Sequence, residues 1–311
     1  MIAWMITHYF RTVKDDAIKT VDRPRTGVWT HVVAPTEEEL AQLARDNDLV
    51  ASILEDATDF YEVPRLERSG GVTYLFTRYP SDQVHDDVNT APLLIALTES
   101  AVITVAQYEV VQFGLLVTGE LPIYTTQKAK LFLQLMDVLT ESFDHELLQL
   151  RKRVYKDRVR LRSICTREIE RLVSYETKLN SMVDALIPTN RALQQILTGS
   201  YIQLYADDRE IVEDVMIANE QVVNSARSVL KTIQNIRSSI EAIMSSRLNN
   251  ALRILTVITI LLTVPLVFSS LYGMNVSLPL QEWPYTFATI VVLNITMMVI
   301  LAVVFRKNNW F

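Results

Sequence analysis

The chain has 311 residues, room for one large or two ordinary domains, and 49% of them are hydrophobic, which excludes a disordered chain. Thirty Lys and Arg against 36 Asp and Glu leave a net charge of −6, with no clustered bases for gripping phosphates, so nucleic acid is not an expected partner. A lone cysteine (Cys165) excludes an intramolecular disulfide, scattered glycines exclude both GxGxxG and GxxxxGK[ST] cradles, and distant histidines at 8, 31, 85 and 145 exclude a paired-histidine zinc site, so the chain reads as a non-enzyme.

Residues 1–123 mix short apolar runs with helical patterns and are predicted to form an α/β domain. Strands are expected at Ile2–His8, Val28–Val33 and Val72–Arg78, and across Leu93–Ala106 with a turn near Thr98–Ala101. Met1–Thr12 lacks the long apolar core of a cleavable leader. Thr36-Glu37-Glu38-Glu39 has the spacing of a capping box, so a helix should begin there, and another near Leu49.

Residues 124–199 form the next region. From Tyr124 to Ile187 there is no Gly or Pro, and Leu131, Leu135, Val138, Leu139 and Phe143 recur at helical spacing, which predicts long helices. Pro188 and Gly199 are expected to bracket a connection. Beyond it one helix is predicted from about Tyr201 to Leu271, with residues 200–250 as its non-membrane part.

That part carries a seven-residue pattern. Val212, Asn219, Ala226, Ile233 and Ile240 share one register, and Val215, Val222, Val229, Ile236 and Ile243 follow three residues later. Such a seam either closes the core of its own domain or packs against copies of the chain. Because the helix leads directly into an apolar span, self-association through the seam is the expectation.

The apolar residues concentrate at the C-terminus. Residues 251–311 hold three bases (Arg253, Arg306, Lys307) and one acid (Glu282), or +2, leaving −8 for residues 1–250. Ile254–Leu271 and Tyr285–Phe305 are uncharged, and each is long enough to cross roughly 30 Å of hydrocarbon. Residues 251–275 and 285–305 are therefore predicted as membrane spans, with 276–284 as the loop between them and 306–311 as a basic, aromatic tail. Arg247, Arg253, Arg306 and Lys307 flank the spans on one side and the loop has no base, so both termini are expected in the cytoplasm. Trp283, Tyr285, Trp310 and Phe311 suit the two interfaces. Asn275-Val276-Ser277 and Asn294-Ile295-Thr296 match the glycosylation pattern, but one abuts the membrane and the other lies inside it, so neither is read as modified.

At about 100° per residue, Asn249, Thr256, Thr259, Thr263 and Ser270 fall on one face of the first span. A polar stripe of this kind serves either as packing glue or as the wall of a wet pore. It runs up to Tyr272-Gly273-Met274-Asn275. That tetrapeptide at the end of the first of two C-terminal spans, a short loop with Trp283, and the ending Arg306-Lys307-Asn308-Asn309-Trp310-Phe311 resemble the CorA family of magnesium channels.

The resemblance implies a homopentamer in the plasma membrane, its first spans lining a central pore and its long helices forming a cytoplasmic funnel. Gly273, Met274 and Asn275 would form the selectivity filter, with oxygens of Gly273 and Asn275 meeting hydrated Mg²⁺, which sheds its waters reluctantly. Asn249, Thr256, Thr263 and Ser270 would form polar rings below it, and Leu252 and Leu266 would narrow the pore between them. Co²⁺ and Ni²⁺ are further candidate ions. The resemblance also places a regulatory Mg²⁺ near Asp214, in a stretch with Asp207, Asp208, Glu210 and Glu213. The family's second sensing acid would fall at Ser238, a departure that weakens the regulatory expectation. The loop departs too: Ser277-Leu278-Pro279-Leu280 replaces an acidic Met-Pro-Glu-Leu, leaving Glu282 as its sole acid. No organic cofactor is expected; the partners are lipid and other copies of the chain. Two alternatives stay open at this point, a proton-coupled transporter of zinc or another transition metal, and a membrane-anchored scaffold.

Overall fold

The structure, a computed structural model, describes residues 5–83, 89–159, 166–276, 283–308 and 310. The expected outer-loop residues 277–282, the first three residues of the predicted Ile2–His8 strand, and Cys165, Asn309 and Phe311 lie outside the described residues. The chain divides into two compact units, Met1–Ile236 and Arg237–Phe311.

The first unit is built on one sheet of seven strands: β1 (Met5–Phe10), β2 (Lys19–Val21), β3 (Val28–Val33), β4 (Arg65–Ser69), β5 (Val72–Pro80), β6 (Thr90–Leu97) and β7 (Ala101–Ala106). Their spatial order is β2-β1-β3-β7-β6-β5-β4. All neighbours are antiparallel except β3 and β7, which run in parallel from Val28 opposite Ala101 to Val33 opposite Ala106. β6 and β7 are buried throughout and β5 at all but its last residue, which is why apolar residues predominate in them without strict alternation. The turn between β6 and β7 is held by Thr98, whose hydroxyl oxygen accepts from the Ala101 N–H at 2.9 Å. The edge strands β2 and β4 carry Lys19, Arg65, Glu67 and Arg68, and they escaped prediction because an exposed edge has no buried face to impose a period.

Helices cover both faces of the sheet. On one lie α1 (Glu37–Asp46) and α2 (Ala51–Asp56), with Leu40, Leu43, Ile53 and Leu54 packed among Val28, Tyr74, Phe76, Leu94 and Ile103. The predicted capping box at the start of α1 is present: the Glu39 N–H donates to Thr36 Oγ1 at 3.2 Å, and the Thr36 N–H to Glu39 Oε2 at 2.8 Å. On the other face lie the short α3 (Gly114–Val117), the long α4 (Lys128–Val159) and α5 (Thr166–Leu197), and the start of α6 (Ala206–Tyr272). Phe132, Leu135, Leu139, Leu193 and Val212 meet Trp29, Leu75, Leu93, Ile95 and Val102 there. Each large side chain fully buried in these layers contributes roughly 1.5–3 kcal/mol.

Two expectations are corrected. Helix α5 does not stop at Pro188 but runs through it to Leu197. The carbonyl deprived of its donor by Pro188 belongs to Asp184, an exposed residue, and the next residue, Thr189, ties its hydroxyl to Ala185 O at 2.8 Å. The heptad seam of α6 is covered within the chain as far as Ile240. Val212, Val215, Asn219, Val222, Ala226, Val229, Ile233, Ile236 and Ile240 are each no more than 4% exposed within a single chain, whereas Ile243, the last member, is 38% exposed. The break in the seam, Asn219, is satisfied internally: Thr140 Oγ1 donates to its Oδ1, and its Nδ2 donates to Asn190 Oδ1, both at 2.9 Å. As far as Ile240 the seven-residue pattern is that of a helix buried within its own chain.

The second unit holds the C-terminal part of α6 and α7 (Thr286–Lys307), which among the described residues are the two helices long and apolar enough to cross a membrane. Pro265 lies inside α6 without ending it. Val257 is fully buried, and Ile260, Leu261, Val264, Pro265 and Phe268 around the same side are half-buried. On α7 the half-buried residues Thr286, Ile290, Asn294, Met298, Ala302 and Phe305 recur every three or four positions, so each span covers one stripe and leaves the rest outward.

Candidate functional site

The Asn249, Leu252, Thr256, Thr263, Leu266 and Ser270 set lies on the exposed side of α6, centred roughly 140° around the helix from the Val257 stripe at about 100° per residue. Leu252 is 51% and Leu266 67% exposed. The polar residues are therefore not what this span spends on packing within its own chain. Their hydroxyls have a common orientation: Thr256 donates to Leu252 O at 2.8 Å, Thr259 to Leu255 O at 2.9 Å and Thr263 to Thr259 O at 2.7 Å. With each proton committed to the backbone, what a threonine presents outward is the remaining lone pair of its oxygen. An array of acceptors suits a ligand that arrives as a donor, such as a cation wrapped in water.

The stripe ends where α6 ends. The Gly273 N–H donates to Ser269 O at 3.0 Å and the Met274 N–H to Leu271 O at 3.3 Å, closing the last turn. A Cβ added at Gly273 would lie 3.2 Å from Ser269 O and 3.6 Å from Ser270 O, so any larger residue crowds the carbonyls of that turn. Met274 and Asn275 follow, both exposed. Three chemically distinct groups thus stand in sequence at the helix end: a bare backbone, a thioether and an amide. A hard divalent cation prefers the oxygens of the first and third.

Aromatic and basic residues mark the ends of the spans. Trp283 and Tyr285 pair edge-on with centroids 5.7 Å apart, and Phe305 and Trp310 stack at 5.6 Å. The Arg253 guanidinium lies 6.0 Å from the Trp310 ring centroid, a contact that spacing did not foretell. Arg306 and Lys307 occupy the last turn of α7, where positive charge complements the helix dipole.

Asp214 lies far from this stripe in sequence, on an exposed turn of α6. Its charge is felt by Asp137 of α4, which pattern reading missed. Burial, and after it the negative charge of Asp214, hold the Asp137 carboxyl above the ordinary aspartate value. Two adjacent carboxylates that repel each other are relieved by a shared cation, and Mg²⁺ is commonly bound by one or two carboxylates with water completing its shell. Among the described residues no three His, Cys, Asp or Glu side chains converge, so the acidic stretch 207–214 is not a cluster of ligands. Ser238 is exposed and brings no acid.

Comparison with known proteins follows the same outline. Residues 25–307 match the family model described as CorA-like Mg2+ transporter protein. The cobalt/magnesium transport protein CorA of Methanocaldococcus jannaschii is 26% identical over 294 residues, which are 91% of each chain. Among solved structures, the complete CorA magnesium transporter from that organism superposes with a TM-score of 0.87 over 100% of both chains at 20% identity. The full-length CmaX protein gives 0.73 at 16% identity, covering 99% of this chain and 98% of its own. At such identities the structural likeness speaks for the fold alone.

Proposed function

The chain belongs to the CorA-like Mg²⁺ transporter family, and from that premise we propose that it is a channel for hydrated Mg²⁺, assembled from several copies, five by the family resemblance, with the exposed stripe of α6 facing a central pore. Five copies would turn each residue of the stripe into a ring. Asn275 and the backbone of Gly273 would form the outermost ring and select the ion through its waters. Thr263 and Thr256 would repeat the acceptor surface at successive depths, while Leu266 and Leu252 narrow the path between them and control its wetting.

The observation that carries this reading is the outward face of α6. Its polar residues lie away from the side that packs, expose acceptor oxygens, and lead to the Gly-Met-Asn end. A stripe used as glue would instead lie on the packing side. Entry needs no nucleotide: a divalent ion gains about 4.6 kcal/mol per 100 mV of inside-negative potential. This orientation, with both termini in the cytoplasm, follows from Arg253, Arg306 and Lys307 at one end of the spans.

The carboxylates of Asp137 and Asp214 would hold the regulatory Mg²⁺ on the cytoplasmic side. A bound ion would neutralise their mutual repulsion, and its loss would restore that repulsion and loosen the contact. Ser238 makes this a single-site sensor in place of a paired one.

The test is Mg²⁺ flux into liposomes under an imposed inside-negative potential, then under a pH gradient, comparing the wild type with Asn275→Ala. The reading expects entry that follows the potential, ignores the pH gradient and is lost in the variant. Zinc entry driven by the pH gradient would overturn it in favour of a coupled transporter. No flux of either ion, even at low internal Mg²⁺, would leave a scaffold.

A further inference from the structure

The first unit contains a cavity that the transport reading does not use. It has a volume of ≈ 540 Å³ and lies at the carboxyl ends of β3 and β7. These are the two parallel strands of an otherwise antiparallel sheet. Both strands leave the sheet there, at Ala34 and Gln107, and the cavity opens beside their ends. The volume is in the range of small-molecule pockets.

The lining is aromatic and carries one kind of charge. Tyr9, Tyr108 and His31 line the wall, with the buried Trp29 and Phe113. Trp29 packs 5.1 Å from Tyr9 and, edge-on, 5.4 Å from Phe113, while His31 lies 5.3 Å from Phe113. The rings of Tyr9, Trp29, His31 and Phe113 thus form a connected cluster, with the Trp29 indole N–H tied to Thr104 Oγ1 at 3.0 Å. Glu109 is the sole carboxylate among the described lining residues, and none of them is a lysine or arginine. It lies close enough to add, after burial, to the upward shift of the Tyr9 phenol. Burial holds His31 at about 4, so its imidazole is neutral at pH 7 and adds no opposing charge.

An aromatic lining and a lone carboxylate point to one class of ligand. We propose that this cavity binds a small organic ammonium ion, its cationic head in the aromatic lining of Tyr9 and Tyr108 near Glu109. The aromatic faces attract the cation through their quadrupoles, as in cages for quaternary ammonium groups. An anion would meet Glu109 and, among the described lining residues, no base, and a purely apolar guest would leave Glu109 without a counter-ion. The site stands independently of the pore, since none of its residues belongs to the spans.

The experiment is calorimetric titration of the full chain in maltoside detergent with choline and, separately, with 3,3-dimethylbutan-1-ol, its uncharged analogue of similar shape, and with tetramethylammonium, which lacks the hydroxyl. Choline should bind saturably and about tenfold more tightly than the alcohol. Glu109 is exposed, so Glu109→Gln leaves the fold intact and should weaken both cations several-fold. Equal affinity for choline and the alcohol would reduce the cavity to an apolar hollow and overturn the proposal. Saturable choline binding unchanged in Glu109→Gln would place the cation elsewhere and overturn it as well, as would the lack of any saturable heat.

Discussion

Helix α6 places polar residues in two settings, and the contrast explains what each is for. In its first half Asn219 is fully buried and meets Thr140 and Asn190, side chains from two other helices. In its second half Thr256, Thr259 and Thr263 are exposed and bond only to their own backbone, one turn back. A polar group inside a packed core must find its partners within the fold and so fixes the fit of the helices around it. A polar face whose protons are satisfied locally, on a helix side left exposed among the described residues, is available to something else.

The comparison breaks most visibly at Asn219. Asn219→Leu should cost about 2–4 kcal/mol, because the Thr140 hydroxyl and the Asn190 amide lose buried partners. Urea unfolding of the variant, alone and combined with Thr140→Val, measures this, and the pair should be clearly less damaging than the sum of the two changes. In the membrane half the reverse holds. Thr263→Val should leave thermal stability within about 0.5 kcal/mol of the wild type, as surface substitutions do, yet reduce Mg²⁺ flux several-fold because an acceptor is removed from its ring.

Smaller effects sharpen the picture. Restoring an acid to the outer loop with Leu280→Glu should lower the half-saturating Mg²⁺ concentration by raising the local cation concentration at the mouth, and an unchanged value would contradict that. The smallest effect concerns Asp137. Its pKa is raised in the folded state by burial and by Asp214, so folding is favoured with the proton on, and this contribution is lost as pH rises from the ordinary aspartate range through the raised value. Asp137→Asn should therefore raise the melting temperature slightly at pH 7 and not at pH 3, and it should also remove part of the stabilisation by added Mg²⁺. A variant that melts lower than the wild type at pH 7 would show that the pair is not repulsive.

What could be read from the sequence follows from how much of each feature is local. The two spans, the capping box at Thr36 and the strands Val28–Val33 and Ala101–Ala106 rest on composition, spacing and a single cap, all contained in one stretch of chain. The Gly273-Met274-Asn275 end was equally visible, as was the angular coincidence of the stripe. Long-range partnership was not. The seam of α6 has the same period whether it meets another copy or α4 and α5, and nothing in its own residues distinguishes them. Asn219 looked like a lapse because its partners lie in other helices. Asp137 was hidden between the core residues Met136 and Val138, and only the fold brings it beside Asp214. Pro188 misled because a helix can carry a proline where the freed carbonyl faces water.

The central claim is that the exposed face of α6 borders water inside the membrane. It is tested most directly by single cysteines placed along that helix in a Cys165→Ser background and treated with a charged, membrane-impermeant thiol reagent while Mg²⁺ flux is recorded. Thr256→Cys and Thr263→Cys should be modified and their flux blocked, while Val257→Cys and Val264→Cys should be untouched. Modification of the valine positions, or protection of both threonine positions while the channel conducts, would contradict the account.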